Sequence, residues 1–343
     1  MELVNEIVEA RNFWEAWMSV RRNKGAAGID KMSVDVLDVY MPLHMDEIKQ
    51  SICRKQYKPS PVRRVFIPKP NGKQRPLGIP TVVDRVVQQA TAQVLNRIYE
   101  PLFSEHSYGF RPNRSCHQAI NQALDYLNAG YEWVVDFDIE KYFDTVNHDK
   151  LISILREQVN DSATLHLIRS FLKSGVMEGG LVSATTEGVP QGGCISPILS
   201  NIYLDKLDKE LESRELRFVR YADDFDIFVK SERSADRVMA SVSRWLETKL
   251  RLKVSATKTK VVRPTKSVFL GFTFWKSTRG WECRPTDAAK EKLETKVKQV
   301  LVRKRATAQP MSYIFTKLNQ VIRGWVNYYY VGSMATYLLS LIH

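Results

Sequence analysis

The chain has 343 residues and 44% hydrophobic content, enough for one large domain or two to three smaller units with a sizeable core. Its 51 Lys and Arg against 38 Asp and Glu give a net charge of +13, so a polyanionic partner is the economical inference. The cysteines form no Cys/His cluster and no apolar run reaches membrane-spanning length, which argues against a zinc site, a disulfide framework and a membrane protein, and favours the cytoplasm.

The first 56 residues predict helices. Gly25 and Gly28 follow the first helix as breakers, Ser33 begins a second helical stretch, and Pro42 is expected to interrupt it. The apolar residues that recur at helical spacing in the first helix predict its buried face: Leu3, Ile7, Ala10, Trp14, Trp17 and Met18.

Residues 57–132 predict a hairpin and then two helices. The runs VRRVFI and QRPLGIP alternate as strands around KPNGK, whose Asn-Gly pair favours a tight turn. Thr81 is suited to cap the next helix, and a second helix closes near Gly130. The hairpin is strongly basic, which fits either contacts to phosphate or a solvated face; its Lys and Arg residues are Arg63, Arg64, Lys69, Lys73 and Arg75.

WVVDFDIEKYFD at 133–144 predicts a short strand that carries acidic residues. Alternation places Asp136 and Asp138 on one face of this strand, with Asp144 beyond its end. Two helices follow at roughly 148–159 and 161–173. The loop GVPQGGCISP at 188–197 then opens a helix, and its glycines allow close approach of the backbone to a ligand, although such a loop could bind any phosphate.

RFVRYADDFDIFVK at 217–230 predicts two strand segments interrupted by adjacent aspartates. Asp223 and Asp224 can converge on one site only if the chain turns there, as at a hairpin tip, and an isolated Ala-Asp-Asp is also common in a surface turn. If this hairpin neighbours the first acidic strand, Asp138 faces its tip. Carboxylates so close would repel one another unless cations sit between them, and hard oxygen ligands suit Mg²⁺.

These motifs in this order resemble the reverse transcriptases, specifically the type encoded by group II introns. YADD at a hairpin, preceded by FDIEKYFD and GVPQGGCISP, carries the resemblance, which SYGFRP at 107–112 and IRGWVNYYY at 322–330 extend. The resemblance implies an α+β fold with the fingers and palm of a right-hand polymerase. The palm is then a ferredoxin-like split βαβ antiparallel sheet with helices on one face, followed by basic helices.

The resemblance also implies domain boundaries. Residues 1–56 would be an N-terminal extension and the start of the fingers, 57–132 the fingers, and 133–285 the palm, with a further fingers segment around 150–190. Residues 286–343 would begin the thumb or maturase domain. The family usually continues beyond this point, so we expect either a shortened chain or a minimal member without an endonuclease module.

The family's site residues carry over to positions in this chain. The resemblance implies a catalytic triad of Asp138, Asp223 and Asp224 that, together with Ile139, holds two Mg²⁺ ions for phosphoryl transfer. Phe143 would exclude a ribose 2′-hydroxyl, although a lone Phe is usually core. The other residues that would bind nucleotide are Lys69, Arg75, Gln191 and Lys258, and those that would bind template or primer are Arg63, Arg111, Arg114 and Gly192.

The implied partners are an RNA template and intron RNA, a DNA primer or target and dNTPs, in a bacterial cytoplasm, with no membrane and with a homodimer left open. Ser255 stands where the family usually has Asn, which weakens the match around Lys258, and a solvated basic face remains an alternative there. A splicing cofactor that only binds RNA and a retron-like reverse transcriptase also remain alternatives. The intact triad argues against a pure binder, and GAAGID and GWVNYY favour the intron type.

Overall fold

The computed structural model describes residues 2–68, 72 and 74–342. Its helices are α1 (Leu3–Ile7), α2 (Ala10–Asn23), α3 (Val34–Cys53), α4 (Val82–Tyr99), α5 (Cys116–Asn128), α6 (Tyr142–Thr145), α7 (His148–Leu155), α8 (Ser162–Leu172), α9 (Ser196–Ser213), α10 (Glu232–Trp245), α11 (Asp287–Val300), α12 (Arg303–Ala306), α13 (Met311–Tyr329) and α14 (Ala335–Ile342). Its strands are β1 (Val62–Pro68), β2 (Gln74–Ile79), β3 (Trp133–Phe137), β4 (Val176–Glu178), β5 (Leu181–Ser183), β6 (Arg217–Tyr221), β7 (Asp224–Val229), β8 (Lys260–Val262), β9 (Phe272–Ser277) and β10 (Gly280–Pro285).

The chain divides into two units. The first contains the chain up to Pro112 together with Ile139–Glu210 and Ser243–Ser255, and the second contains Asn113–Asp138, Leu211–Val242 and the chain from Ala256 onward. Each unit has its own four-stranded sheet, in the order β2-β1-β4-β5 in the first unit and β6-β7-β3-β8 in the second.

The first unit packs helices around an apolar core. Apolar residues of α1, α2, α3, α4 and α8 form this core, and Val86, Val87 and Ala90 of α4 lie at 0% exposure within it. The hydroxyl of Thr81 accepts a hydrogen bond from the Asp84 backbone N–H at 3.1 Å, which confirms the predicted cap of α4. In the sheet of this unit, β1 pairs antiparallel with β2 and parallel with β4.

The predicted buried face of the first helix is confirmed in part: Ile7 is fully buried, and Leu3 and Trp17 pack against the core of the first unit. The chain forms two helices there, and α2 buries Asn12, Phe13, Ala16 and Val20, whereas Trp14 is 55% exposed. Glu9 caps α2 with a backbone conformation outside the helical region, so α1 and α2 are not one continuous helix. The spacing of buried residues in α1 therefore does not continue into α2. Periodicity counted through the break therefore included the exposed Ala10 and Trp14 and missed the buried Phe13.

Pro42 does not interrupt its helix as expected, since α3 runs continuously from Val34 to Cys53 with Pro42 inside it. A proline removes one backbone hydrogen bond and crowds the preceding turn, at a cost of about 3 kcal/mol in an isolated helix. Tertiary packing offsets this cost here, because Leu37 and Met41 before the proline and Ile52 after it are buried in the core of the first unit.

The second unit contains an antiparallel sheet with a split βαβ topology. In chain order its strands are β3, the β6–β7 hairpin and β8, with most of α10 between β7 and β8, and the spatial order β6-β7-β3-β8 places β3 between β7 and β8. Helix α5 packs against β6 and β7. This arrangement confirms the predicted α+β class and the ferredoxin-like palm sheet.

The rest of the second unit is a hairpin followed by helices. β9 and β10 pair antiparallel, and α11 packs against α13. The basic helix predicted from Thr286 onward divides at Leu301, where α11 ends before the short α12. No helix among residues 2–68, 72 and 74–342 combines the length and the apolar character required to cross a bilayer.

Candidate active site

Strand pairing brings the two acidic motifs together. β3 and β7 are antiparallel neighbours in which Phe137 lies opposite Phe225, and their rings stack at 4.7 Å with an interplanar angle of 7°. The next residue on one strand is Asp138, and the preceding residue on the other is Asp224. Asp138 therefore lies at the end of the sheet that carries the hairpin tip, as the sequence predicts if these strands are neighbours.

The tip of the β6–β7 hairpin is held in an unusual conformation. Tyr221 pairs with Asp224, so Ala222 and Asp223 form the turn, and Ala222 has a φ of +59° that L residues rarely adopt. Such a conformation costs on the order of 1 kcal/mol and needs support from the surrounding structure. Arg220 is fully buried and donates a hydrogen bond from Nη1 to the Ala222 carbonyl at 2.8 Å.

Sequence reasoning missed Arg220 as the residue that supports this turn. A charged side chain in the middle of the apolar run FVRY is the signal that could have found it, because an arginine is rarely buried without partners.

The carboxylates at the tip repel one another. The pKa of Asp224 is raised to about 6, first because the surrounding protein removes hydration and then because the charges of Asp223, Asp138 and Asp136 oppose ionisation. Lys258 acts in the opposite direction. Asp224 keeps contact with solvent, so part of this repulsion is screened.

Lys258 forms an ion pair with Asp138. Its ammonium Nζ lies 3.0 Å from Oδ1 and 2.9 Å from Oδ2 of the carboxylate, and the two side chains are 68% and 30% exposed. The neighbouring Thr259 hydroxyl accepts a hydrogen bond from the Asp138 backbone N–H at 3.1 Å. The segment before β8 therefore contacts both the backbone and the side chain of the first catalytic candidate.

A second pair of carboxyl groups lies deeper in the sheet. Asp136 and Asp226 are directly opposed on β3 and β7, and Asp226 is 1% exposed. Burial, followed by the charges of Asp136 and Asp224, raises the pKa of Asp226 well above its usual value. Lys260 Nζ lies 3.4 Å from Asp136 Oδ2, and the Ser267 hydroxyl lies 3.4 Å from Asp226 Oδ2.

Asp226 was missed as part of this acidic cluster, although strand alternation places it on the same face as Asp224.

The chemistry of these donors fits a divalent cation. Asp138, Asp223 and Asp224 supply hard oxygen atoms, and a bound cation would offset the repulsion among these carboxylates. Within the described part of the chain, however, no three His, Cys, Asp or Glu side chains are grouped so that they could hold a metal ion. Both carboxylate oxygens of Asp138 instead contact Lys258.

The first unit brings together a different set of predicted residues. Arg75 on β2 donates a hydrogen bond from Nε to the side-chain oxygen of Gln191 at 3.0 Å, and the Gln191 carbonyl accepts from the Gly78 backbone N–H at 2.7 Å. Gly192 has a φ of +113°, and a Cβ there would lie 2.7 Å from the Gly78 carbonyl oxygen. Glycine is therefore required at 192 by the close approach of β2. The predicted nucleotide contact Lys69 lies outside the described residues.

Phe143 lies in the short helix α6 and is 8% exposed, with its ring edge-on to Tyr142 at 5.1 Å. Its carbonyl accepts a hydrogen bond from the Val189 backbone N–H at 2.6 Å, so the glycine-rich loop is attached to this residue. Ile139 has a buried side chain and forms an isolated β-bridge with Val254. These positions leave the sugar-selecting role of Phe143 and the metal-binding role of Ile139 as predictions.

Among the predicted template contacts, Arg111 has a different role. Its side chain is 3% exposed, forms an ion pair with Glu100 at 2.8 Å, and donates from Nη1 to the carbonyls of Ser104 and Ser107 at 2.6 and 2.8 Å. A contact between Arg111 and a nucleic-acid phosphate would require this buried guanidinium to break its hydrogen bonds to the protein.

The other two predicted template arginines are more accessible than Arg111. Arg63 donates two hydrogen bonds to the Ala27 carbonyl, at 3.1 and 2.7 Å, and Arg114 is half-buried. Their contacts with template or primer remain predictions.

Comparison with known proteins gives the family. A family model described as reverse transcriptase (RNA-dependent DNA polymerase) matches residues 67–274, and a model of the group II intron maturase-specific domain matches residues 290–342. The chain belongs to the group II intron reverse transcriptases. This confirms the family, the polymerase class and the maturase relationship that the motif order predicted, and family membership implies binding of RNA and DNA.

Two relatives illustrate the extent of the similarity. Protein YkfC of Escherichia coli (strain K12) is 35% identical over 290 residues, which cover 73% of this chain and 76% of that protein. The group II intron-encoded protein LtrA of Lactococcus lactis subsp. cremoris is 39% identical over 209 residues, which cover 61% of this chain and 35% of LtrA. This group II intron reverse transcriptase therefore spans about three-quarters of YkfC but about a third of LtrA.

Proposed function

We propose that this chain extends a DNA primer on an RNA template. The primer 3′-hydroxyl loses its proton to solvent and its oxygen bonds to the α-phosphorus of a dNTP, while the bond to the β-phosphate breaks and pyrophosphate leaves. The observation that carries the proposal is the placement of Asp138, at the end of β3, beside the Asp223–Asp224 tip between β6 and β7. Phosphoryl transfer needs positioned carboxylates of this kind and no covalent intermediate.

Asp138, Asp223 and Asp224 would hold the cations, with the Ile139 carbonyl as a further oxygen donor. Two Mg²⁺ ions, when bound, would neutralise charge on the triphosphate and on the reacting oxygens. The chain itself contributes the rigid placement of these carboxylates, through the β3–β7 register and the hydrogen bond from Arg220 to the tip.

Five residues would bind the nucleotide. Arg75 and Gln191 already form a hydrogen bond, so a guanidinium that can contact phosphate and an amide that can contact a base or sugar are placed together. Lys69 would contribute a further positive charge. Phe143 would lie beneath the sugar and exclude the 2′-hydroxyl, while Lys258 would contact the phosphates.

Arg63, Arg114 and Gly192 remain the proposed contacts with template or primer. The fingers would comprise 57–132 with the segment around 150–190, after an N-terminal extension at 1–56. The palm would comprise 133–285, and the thumb or maturase segment would begin at 286. Exposed lysines of α11 and aromatic residues of α13 suit a duplex that is held by contacts to its backbone and by stacking.

A second function, assistance of intron splicing through RNA binding, is favoured by the maturase-specific match at 290–342. We propose intron RNA as the partner and the bacterial cytoplasm as the setting, and association of two copies of the chain as a further possibility to measure. The two functions can coexist, because one depends on the carboxylates and the other on basic surface.

Primer extension with dNTPs and Mg²⁺ on an RNA template tests the polymerase proposal. Synthesis should stop when the cation is chelated and should be lost in Asp138→Asn and Asp224→Asn. Asp226→Asn is a matched control, because this carboxyl group lies on the same strand as Asp224 but is buried. Synthesis that continues in both Asp138→Asn and Asp224→Asn would contradict the assignment of the site.

A further inference from the structure

The ion pair between Lys258 and Asp138 is placed by the backbone. Two residues beyond Lys258, Lys260 lies opposite Asp136 in the β3–β8 ladder, and between them Thr259 contacts the Asp138 backbone N–H. Position 258 is therefore held beside position 138 by the strand pairing that builds the sheet. A long lysine side chain that is 68% exposed has many other rotamers, yet its ammonium contacts both oxygens of one carboxylate.

The Lys258 ammonium lies beside the carboxylate that is proposed to bind a divalent cation. Asp138 is the proposed metal-binding carboxylate of β3, and both of its oxygens contact Nζ. Lys258 is also the cation that opposes the mutual repulsion of the carboxylates around Asp224. A divalent cation that binds Asp138 must compete with this internal one.

We propose that Lys258 is a positioning residue that stands in for the metal: its ammonium holds the Asp138 carboxylate in the metal-free protein and is displaced when a divalent cation binds. This inference rests on the proposed function, because it requires Asp138 to be a metal-binding residue. It adds to that function that a divalent cation binds Asp138 only as the Lys258 ammonium leaves it, in an exchange of one cation for another.

The exchange has a consequence for the order of binding. A triphosphate offers the displaced ammonium a new anionic partner, so nucleotide and cation each favour the binding of the other. In the absence of nucleotide the released ammonium has no such partner, and the site binds the cation weakly. The site thereby avoids holding a tightly bound cation before substrate arrives.

Binding of Mn²⁺ to the full chain, without nucleotide or nucleic acid, tests the proposal directly. Electron paramagnetic resonance counts free Mn²⁺ and gives the dissociation constant with no need for activity. Lys258→Gln removes the charge but retains a side chain of similar length. It should lower this dissociation constant about two- to fivefold, which corresponds to the free energy of an exposed ion pair. Lys258→Arg keeps the charge and should bind Mn²⁺ as the parent does.

Two controls separate this exchange from a general change in charge. Lys260→Gln removes the same charge two residues away, from a lysine that contacts Asp136, and should change the dissociation constant less than Lys258→Gln. In an Asp138→Asn background, Lys258→Gln should give no gain, because the shared carboxylate is gone. Circular dichroism spectra that match the parent show that each variant is folded.

The outcomes distinguish the inference from the proposed function. Tighter Mn²⁺ binding in Lys258→Gln alone, dependent on Asp138, supports the exchange. Equal binding in the parent and in Lys258→Gln would overturn the exchange while leaving the metal site in place. Absence of Mn²⁺ binding in the parent and in every variant would overturn both the exchange and the proposed metal-dependent chemistry.

Discussion

At the scale of single residues, the candidate active site combines repulsion with support. Burial, followed by the charges of the neighbouring aspartates, raises the pKa of Asp224 to about 6, and Lys258 provides partial compensation. Arg220 holds the turn that presents two of these carboxylates. The candidate site therefore combines three carboxylates with two cationic side chains, those of Lys258 and Arg220.

Phe143→Ala should relax the choice between dNTPs and ribonucleotides. Removal of the ring would open the space that the 2′-hydroxyl needs, and we expect selectivity to fall about tenfold or more. The measurement is kcat/KM for a dNTP and for the matching ribonucleotide in primer extension.

The loss of a buried ring also destabilises the fold, by about 3–5 kcal/mol. Phe171→Ala in the core of the first unit is the matched control, since Phe171 is 2% exposed and should affect stability without affecting sugar selectivity. Unchanged selectivity in an active Phe143→Ala protein would remove the role assigned to this residue.

The turn at Asp223 and Asp224 was predictable from the sequence, whereas the partners of several charged residues were not. Adjacent Asp223 and Asp224 require a turn to converge, and that local rule is independent of the rest of the fold. Arg111 looked available for phosphate because nothing in the sequence places Glu100 and two carbonyls around its guanidinium. The pairing of Lys258 with Asp138 likewise joins residues 120 positions apart.

At the scale of elements, the β3–β7 pair positions two layers of acidic residues. Asp138 and Asp224 lie at the end of the two strands, and Asp136 faces Asp226 two residues further into the sheet. Burial of Asp226 disfavours its charged form, and Lys260 offsets part of the charge on Asp136. The inner pair lies outside the proposed chemistry but affects the stability of the sheet.

Asp226→Asn should stabilise the protein at neutral and alkaline pH. The pKa of Asp226 is raised in the folded state, so the folded protein holds this proton more tightly than the unfolded chain does. The resulting stability is present below the unfolded pKa near 4 and is lost as the pH rises through the raised pKa. Asparagine does not ionise, so the variant escapes this loss.

The measurement is the melting temperature of the parent and of Asp226→Asn in metal-free buffer over a series of pH values. The advantage of the variant should grow as the pH rises from about 4, and about 1 kcal/mol should correspond to roughly 2–4 °C. Asp236→Asn, at an exposed position on α10, is the control and should show no such trend. A difference that does not vary with pH would contradict the assignment.

The sequence predicted which helices and strands form more reliably than it predicted which helix faces are buried. The β6–β7 hairpin, the cap at Thr81 and the α+β order follow from local patterns that the structure bears out. The face of α2 and the passage of α3 through Pro42 depend on packing in the first unit, which local patterns do not contain. Tertiary contacts, and not local propensity or periodicity, therefore determine the buried face of α2 and the continuity of α3.

At the scale of the whole molecule, the net charge of +13 predicts binding to a nucleic-acid backbone, for which α11 offers exposed lysines. Such binding should weaken steeply with salt, because each phosphate contact releases counterions. Binding becomes weaker with added salt, so the slope of log association constant against log salt is negative. Replacement of the exposed Lys292 and Lys296 by Gln should make this slope shallower by about 1.4–1.8. Titration of a labelled RNA–DNA duplex at several salt concentrations measures this slope.

The same number of charges can be removed from α10 as a control. Arg233→Gln with Arg237→Gln changes the net charge equally at two exposed positions. If this pair makes the slope shallower by as much as the α11 pair does, binding depends on overall charge and the role of α11 is contradicted.

The most direct test of the central claim compares the parent with Asp223→Asn in two assays on the same preparation: primer extension on an RNA template with dNTPs and Mg²⁺, and RNA binding at fixed salt. We predict that Asp223→Asn abolishes extension while RNA affinity stays nearly unchanged, since Asn keeps the shape of the side chain and removes its charge. Equal loss of extension and binding would make Asp223 a structural residue, and full extension by the variant would contradict the proposed site.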